Sequence, residues 1–392
     1  MKIKTITASL MALAISALQI TVPVSADFYS DYGFASYEEW SSFVLGRGFS
    51  FIDDSYDVLW GKNTTGNIDG MAWIPHYDKD LGGYSLEPLK SGYPVKYKVP
   101  NSYKFEEDPK KTVYVKRIEW SCPFKEFDLD TNSKYLKLID NVVFSKDGKT
   151  LMSYAQYDER TVYKIPYGTE IVSYASMISS ENLVEIIIPD SVKELGGRSM
   201  ESIKALEKVN IPPLVEELPN YIFRKDNNLK DVYIPENSQL KKIGKASFAE
   251  CMMLTELTLP SFEIEIARTA FAVDGYSQNV TLKSYVKPEA KATYSNSTGV
   301  YKLKWNEVPN ADHYEIYQKL RDGSYKLLKT TKGTSIKFAD GIIKSGKKYT
   351  LAVKPIAKIE ASGEKDEYVD FILPEYYTIE GTMSNDVTFV GK

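Results

Sequence analysis

An Ile-Pro pair, once Leu-Pro, recurs at Pro166, Pro189, Pro212, Pro235 and Pro260, in steps of 23, 23, 23 and 25 residues. Other columns keep the interval. Leu183, Leu206, Leu229 and Leu254 stand six residues before the last four prolines, and Tyr163, Ile186, Val209, Val232 and Leu257 three before all five. Met177, Met200, Phe223, Phe248 and Phe271 follow by 11 residues, or by 13 in the longer step. Units this short cannot bury a core alone, so the register predicts a stacked repeat array.

In each unit the Val-x-Ile segment alternates, which is the period of a short strand. The proline then ends the ladder, having no N–H to donate. A turn leads to a second apolar pair (Val192 and Leu195, Val215 and Leu218) and to an irregular or short helical back wall carrying the Met/Phe column. Residues four and two before each proline point outward onto one sheet. The first column reads Val162, Glu185, Lys208, Asp231 and Glu256, the second Lys164, Ile187, Asn210, Tyr233 and Thr258. Glu185, Ile187, Lys208, Asn210, Asp231, Tyr233, Glu256 and Thr258 are the candidate ligand-binding residues. Rungs about 4.8 Å apart would let Glu185, Lys208 and Asp231 pair along the ladder. Ile187 and Tyr233 put apolar groups on an exposed face, the pattern of a protein-binding patch.

These units resemble BspA-like leucine-rich repeats, a class carried by exported bacterial surface proteins. The resemblance covers about 120–282. Its second motif is Asp140-Asn141-Val142-Val143-Phe144-Ser145-Lys146-Asp147-Gly148-Lys149-Thr150-Leu151, close to the hairpin that often opens such arrays. Asn141 stands where the family has glycine and also tolerates the turn conformation, while Lys146-Asp147-Gly148 reads as a tight turn. The resemblance implies adhesion or ligand binding and no particular chemistry.

Beyond Lys287 the pattern changes. Strands are expected at 300–305, 313–317, 325–329, 335–338, 349–356 and 368–373, at β-sandwich spacing. This segment, about 286–374, resembles fibronectin type III modules. Trp305 stands where the family has a buried tryptophan. Ile343-Lys344-Ser345-Gly346-Lys347-Lys348-Tyr349 matches its tyrosine corner, with Ser345 in place of proline. The expected fold class is mainly β: a short leucine-rich-repeat solenoid with a parallel sheet on one face, then a fibronectin III-like sandwich, with a small mixed N-terminal cap. The expected segments are 1–26 as a leader, 27–112 as an aromatic-rich cap, 113–285 as solenoid, 286–374 as sandwich and 375–392 as a short, mobile polar tail.

Lys2 and Lys4, the apolar run Ile6–Leu18 and the small residues Val24-Ser25-Ala26 form an export signal cut after Ala26, so a secreted or cell-surface location is expected. The remaining 47 basic and 53 acidic residues give a net charge near −6, which argues against a nucleic-acid surface. No later segment is apolar enough for membrane insertion. The expected partner is a protein on a host or neighbouring cell, or a glycan. Cys251 falls on the back wall as a buried thiol rather than half of a disulfide with Cys122.

The chemistry-bearing inventory is thin. His76, Asp78 and Asp80 alternate in an aromatic stretch that Ser36-Tyr37-Glu38-Glu39 precedes with a capping box, opening a helix to about Leu45. His76 and those carboxylates lack further ligands at diagnostic spacing, and His313 reads as a solvent-facing strand residue. No nucleophile elbow, phosphate loop or zinc signature is present. The reading is no enzyme, no catalytic residue, no metal and no cofactor. The alternatives are a glycan binder using the aromatics of 27–112 and an enzyme with an unfamiliar N-terminal domain.

Overall fold

The computed structural model of the protein describes five separate strands between residues 72 and 118, then residues 125–391 apart from 274–275, 339–342 and 364–372. All regular structure among these residues is strand. The leader, the helix expected over 36–45, Cys122 and residues 368–372 of the last expected sandwich strand lie outside the described residues. The chain forms two compact units, Met1–Asp158 and Glu159–Lys392.

In the first unit, β1 (Ala72–Asp78) and β2 (Gly83–Leu89) make an antiparallel hairpin. β3 (Lys96–Val99), β4 (Ser102–Lys104) and β5 (Thr112–Ile118) follow; β5 pairs with β2 in parallel and with β4 antiparallel. β6 (Glu126–Leu129) lies parallel to β3. β7 (Leu136–Ile139), β8 (Val142–Ser145) and β9 (Thr150–Tyr154) form a meander with the two expected turns. Asp140 and Asn141 both take positive φ (46° and 61°), the left-handed pair that a two-residue hairpin needs. Asn141 adds what glycine could not. Its Oδ1 accepts from the Phe127 N–H at 2.8 Å, and its Nδ2 donates to Lys125 O at 2.6 Å and Asp158 Oδ2 at 2.9 Å. At the second turn Asp147 Oδ1 accepts from Ser145 Oγ and the Lys149 N–H, which holds its carboxyl below the usual range.

The second unit begins with the solenoid. Each rung has a front and a side strand: β10 (Val162–Lys164) and β11 (Ile171–Val172), β12 (Glu185–Ile187) and β13 (Glu194–Leu195), β14 (Lys208–Asn210) and β15 (Glu217–Leu218). β16 (Asp231–Tyr233) and β17 (Lys242–Ile243), then β18 (Glu256–Leu259) and β19 (Glu265–Ile266), continue it. After a small hairpin, β20 (Ala272–Val273) and β21 (Tyr276–Ser277), a sixth front strand, β22 (Thr281–Ser284), closes the array. Between the rungs lies one apolar column after another; Leu183, Leu206, Leu229 and Leu254 are all fully buried.

The back wall is built of turns rather than helix. Its residues Ala175, Arg198, Tyr221 and Ala246 take positive φ at the repeat interval, and so do Ser179, Ser202, Lys225 and Glu250. Left-handed backbone is strained for such residues. Here it points their N–H groups at the next rung: Ala175 to Gly197 O, Arg198 to Asn220 O, Tyr221 to Lys245 O. Rungs approach so closely that a Cβ on Gly196 would lie 2.3 Å from the Tyr174 backbone nitrogen. Inside this wall Phe223, Phe248 and Phe271 stack at 5.4 and 5.5 Å.

The front sheet departs from expectation at one point. Four proline-terminated strands pair in one parallel ladder, β10-β12-β14-β16, but the fifth, β18, pairs onward with β22 instead. The step leading to β18 is the one with two extra residues, and Val232, the inward residue of β16, is only half-buried beside it.

The sandwich comprises β23 (Ala290–Ser295), β24 (Val300–Trp305), β25 (His313–Lys319), β26 (Tyr325–Thr331), β27 (Ser335–Lys337), β28 (Lys348–Glu360), β29 (Tyr376–Glu380) and β30 (Val387–Val390). One sheet is β23-β24-β27; the other contains β26-β25-β28-β29, with β30 also on β28. Trp305 is buried 5.4 Å from Tyr314, and the Tyr349 hydroxyl accepts from the Lys344 N–H at 3.0 Å, closing the tyrosine corner. The segment 375–392, expected as a mobile tail, supplies two strands. Phe389 stacks on Tyr301 at 4.7 Å and on Tyr349 at 5.8 Å, so removing it would open the core.

Solenoid and sandwich are joined as one sheet. β22 pairs in parallel with β18 on one side and β29 on the other, through Leu257, Leu282 and Ile379. A second seam runs from the end of β19. The Ser362 N–H donates to Ile266 O, the Arg268 N–H to Ser362 O, and the Arg268 guanidinium to Pro374 O and Ala361 O at 3.0 and 3.2 Å. Tyr377 packs against Phe271 and donates to Ala267 O and Arg268 O.

Two outcomes follow for stability. Phe248→Ala, which leaves a cavity within the aromatic stack, should lose about 3–5 kcal/mol in urea unfolding. Arg268→Ala should lose about 1.5–3 kcal/mol and leave the sandwich signal melting apart from the solenoid signal, whereas the wild type should show one transition.

Candidate functional site

The outward columns of the front sheet form the candidate site. Each rung places two outward residues because the Val-x-Ile segment alternates and its middle residue is held in the core. The ladder aligns Val162, Glu185, Lys208 and Asp231 across four rungs, with Lys164 opposite Ile187 and Asn210 opposite Tyr233. Glu256 and Thr258 belong to β18 and so to the adjoining ladder, where Thr258 pairs with Lys283 and Glu256 forms an ion pair with Lys283.

Three of the expected relations change. First, Glu185, Lys208 and Asp231 are neighbours in register, yet none pairs with another within 4 Å among the described ion pairs. Lys230 instead reaches Glu207 at 2.6 Å, one residue off the expected column and between the same rungs. The flank carries similar links: Glu170 to Lys193, Glu216 to Lys241 and Glu217 to Lys242, at 3.1, 2.9 and 3.0 Å. Exposed pairs of this kind contribute about 0–1 kcal/mol each and serve mainly to hold register.

Second, Asn210 is occupied by the fold. Its Nδ2 donates to Ile188 O at 2.7 Å and its Oδ1 accepts from the Ile188 N–H at 2.8 Å. The reason lies in the repeat itself. The residue that would donate to the Ile188 carbonyl from the next rung is Pro212, which has no N–H. The same gap arises at Ile234, opposite Pro260, and there the Tyr285 hydroxyl donates at 2.9 Å. Asn210 is thus a side-chain replacement for a missing ladder bond. Third, His313 is half-buried and bonds Asp312 through Nδ1 at 2.8 Å rather than facing solvent freely.

What stays open on the face mixes apolar and aromatic groups with the exposed charges of Lys164, Lys208 and Asp231. Tyr233 is 57% exposed, Val162 41%, and Ile187 is intermediate. Tyr167, which the outward columns did not include, is 86% exposed directly after Pro166. Its only sequence signal is that the other units carry Asp190, Pro213, Glu236 and Ser261 at that position. The outward row also continues onto the sandwich, Thr258 to Lys283 to Glu380. There Lys354 pairs with Glu380 at 2.8 Å and lies over the Tyr317 ring, and the Tyr317 hydroxyl donates to Glu315. Burial, then Glu315, pushes that hydroxyl far above its ordinary range.

These groups offer area, hydrogen bonds and fixed charge pairs. Cys251 is free and fully buried; its Sγ lies 3.0 Å from Phe223 O, and burial raises its thiol well above the ordinary range, so it is no nucleophile. Among the described residues no group of three or more His, Cys, Asp or Glu side chains is placed to hold a metal ion. No described helix is long and apolar enough to cross a membrane.

Residues 153–281 match the family of BspA type leucine rich repeat regions in six copies, and residues 284–371 match the C-terminal domain of GH85 endohexosaminidases. No curated protein matches the chain. Among solved structures, a leucine rich cell surface protein from Faecalibacterium prausnitzii is 24% identical, over 45% of this chain and 45% of that one, with a TM-score of 0.39. The pneumococcal vaccine antigen PcpA is 18% identical over 49% and 51%, with a TM-score of 0.36. The chain spans about half the length of both. An Fn3-like protein from Clostridium thermocellum is 20% identical over 26% of this chain and 86% of its own, with a TM-score of 0.18. The repeat array of this protein is a BspA-type leucine-rich repeat region, and a fibronectin III-like sandwich follows it.

Proposed function

We propose that the protein is an exported, non-catalytic bacterial binding protein, secreted or held at the cell surface, whose front sheet recognises a protein partner. The observation that carries this is the apolar set on a rigid ladder: Val162, Tyr167 and Tyr233 are exposed and Ile187 half-exposed beside the charges of Lys164, Lys208 and Asp231, while the polar Asn210 is used up by the fold. Solitary exposed apolar residues are ordinary, but several on one preorganised sheet face favour docking, because little backbone entropy remains to be lost on binding. Export rests on the leader, and the cap role of 27–112 remains our assignment.

One observation favours a second reading. The sandwich matches a domain family named for endohexosaminidases, and Tyr376 lies 47% exposed under Lys358 at 4.0 Å. A glycan contact through the sandwich, or through the aromatics of 27–112, would fit that name.

The full mature chain and its Ile187→Ser/Tyr233→Ser variant should be probed on a combined protein and glycan array. Capture of host or bacterial surface proteins by the wild type, reduced about tenfold or more in the double variant, is the expected result. Equal capture by both chains would discard the front sheet, glycan-only capture would favour the second reading, and release of sugar would overturn the non-catalytic one. The double variant should unfold within about 0.5 kcal/mol of the wild type, since both side chains are outward. Asn210→Ala should instead lose about 1–3 kcal/mol, because it leaves the buried Ile188 N–H and carbonyl unpaired.

A further inference from the structure

Asp226 stands fourteen residues after Pro212, in the column that holds Ser180, Ile203 and Cys251 in the neighbouring rungs. All four are fully buried. Asp226 Oδ1 accepts from the Ile203 N–H at 2.7 Å; Oδ2 has no partner. A buried carboxylate with an empty oxygen is one of the least favourable arrangements a fold can hold, whereas a buried carboxylic acid is an ordinary polar group.

Beyond the Ile203 N–H, the surroundings give a negative charge no support. On the preceding rung the charged group that acts on it is Glu201, itself a carboxylate at 5% exposure. The two guanidiniums in reach are committed to it: Arg198 at 2.9 Å and Arg224 at 3.5 Å, with Arg224 also turned toward Glu250 at 3.9 Å. On the following rung the facing group is the Cys251 thiol, kept neutral by burial. Burial first, then Glu201, drives the Asp226 carboxyl well above the usual carboxylate range, against the opposing pull of the Ile203 N–H.

We propose that Asp226 is a pH-responsive latch in the back wall, folded as a carboxylic acid, so that the rung interface tightens in acid and loosens as the medium turns alkaline. The sign follows from linkage. The unfolded chain ionises this group near its ordinary value of about 4, and the folded chain does so only at much higher pH. Its contribution is therefore complete below about pH 4. Above that the folding constant falls roughly tenfold per pH unit until the folded carboxyl itself ionises.

The test is urea unfolding of the full chain at about pH 4.5, 5.5, 6.5 and 7.5, for the wild type and for Asp226→Asn and Asp226→Ser. The serine variant copies Ser180 in the same column, so a fold that rejects asparagine still yields a measurement. The ratio of variant to wild-type folding constants should rise roughly tenfold per pH unit, which cancels the titration of every other group. A ratio constant within about threefold across the series would overturn the latch, as would variants weaker than the wild type by the same factor at every pH.

Discussion

Hydrogen bonding between rungs is the constraint on which the rest of the molecule depends. A rung of 23 residues has no helix and no antiparallel partner of its own, so its backbone groups are satisfied by the rungs before and after it. Three seams run along the solenoid: the front ladder, the side ladder and the back-wall turns. The left-handed residues of the back wall persist because their strained backbone aims N–H groups along the third seam. The apolar columns and the Phe223–Phe248–Phe271 stack then fill the space the seams enclose.

An array held together this way is only as good as its ends. The sandwich meets that need at the C-terminal end by extending two of the seams, with β29 beside β22 and Ser362 beside Ile266 and Arg268. A module that serves as a spacer hangs from a linker. This one completes the last rung, and Tyr377 covers the aromatic stack. The same continuity carries the outward face from Thr258 through Lys283 to Glu380 without a break in the sheet.

The repeat that makes the fold legible also creates its local defects, and side chains repair them. Proline after every front strand announces the period in the sequence, yet it withholds a donor from the preceding rung. Asn210 and Tyr285 supply that donor in two places. A reading of columns sees Asn210 as outward and polar, hence as a candidate for a ligand. The bidentate bond to Ile188 is a distance in three dimensions, 22 residues away along the chain. Likewise the column pairing Glu185–Lys208–Asp231 was a sound inference about register, but long side chains choose among several neighbours, and Lys230 found Glu207.

By itself the sequence determined the period, the identity of the inward columns, the two turns of the opening meander, the buried tryptophan and the tyrosine corner. The period and the columns are set by local spacing, since alternation and fixed intervals translate directly into which side a residue faces; the tryptophan and the corner follow from the resemblance to fibronectin type III modules. Only the tertiary structure decided that the fifth front strand starts a new ladder, that 375–392 belongs to the sandwich, and that solenoid and sandwich share one sheet. It also decided that Asp226, one carboxylate among 53 acidic residues, is sealed between rungs with an oxygen to spare. Those outcomes depend on which distant groups arrive within bonding reach, and no interval along the chain encodes that.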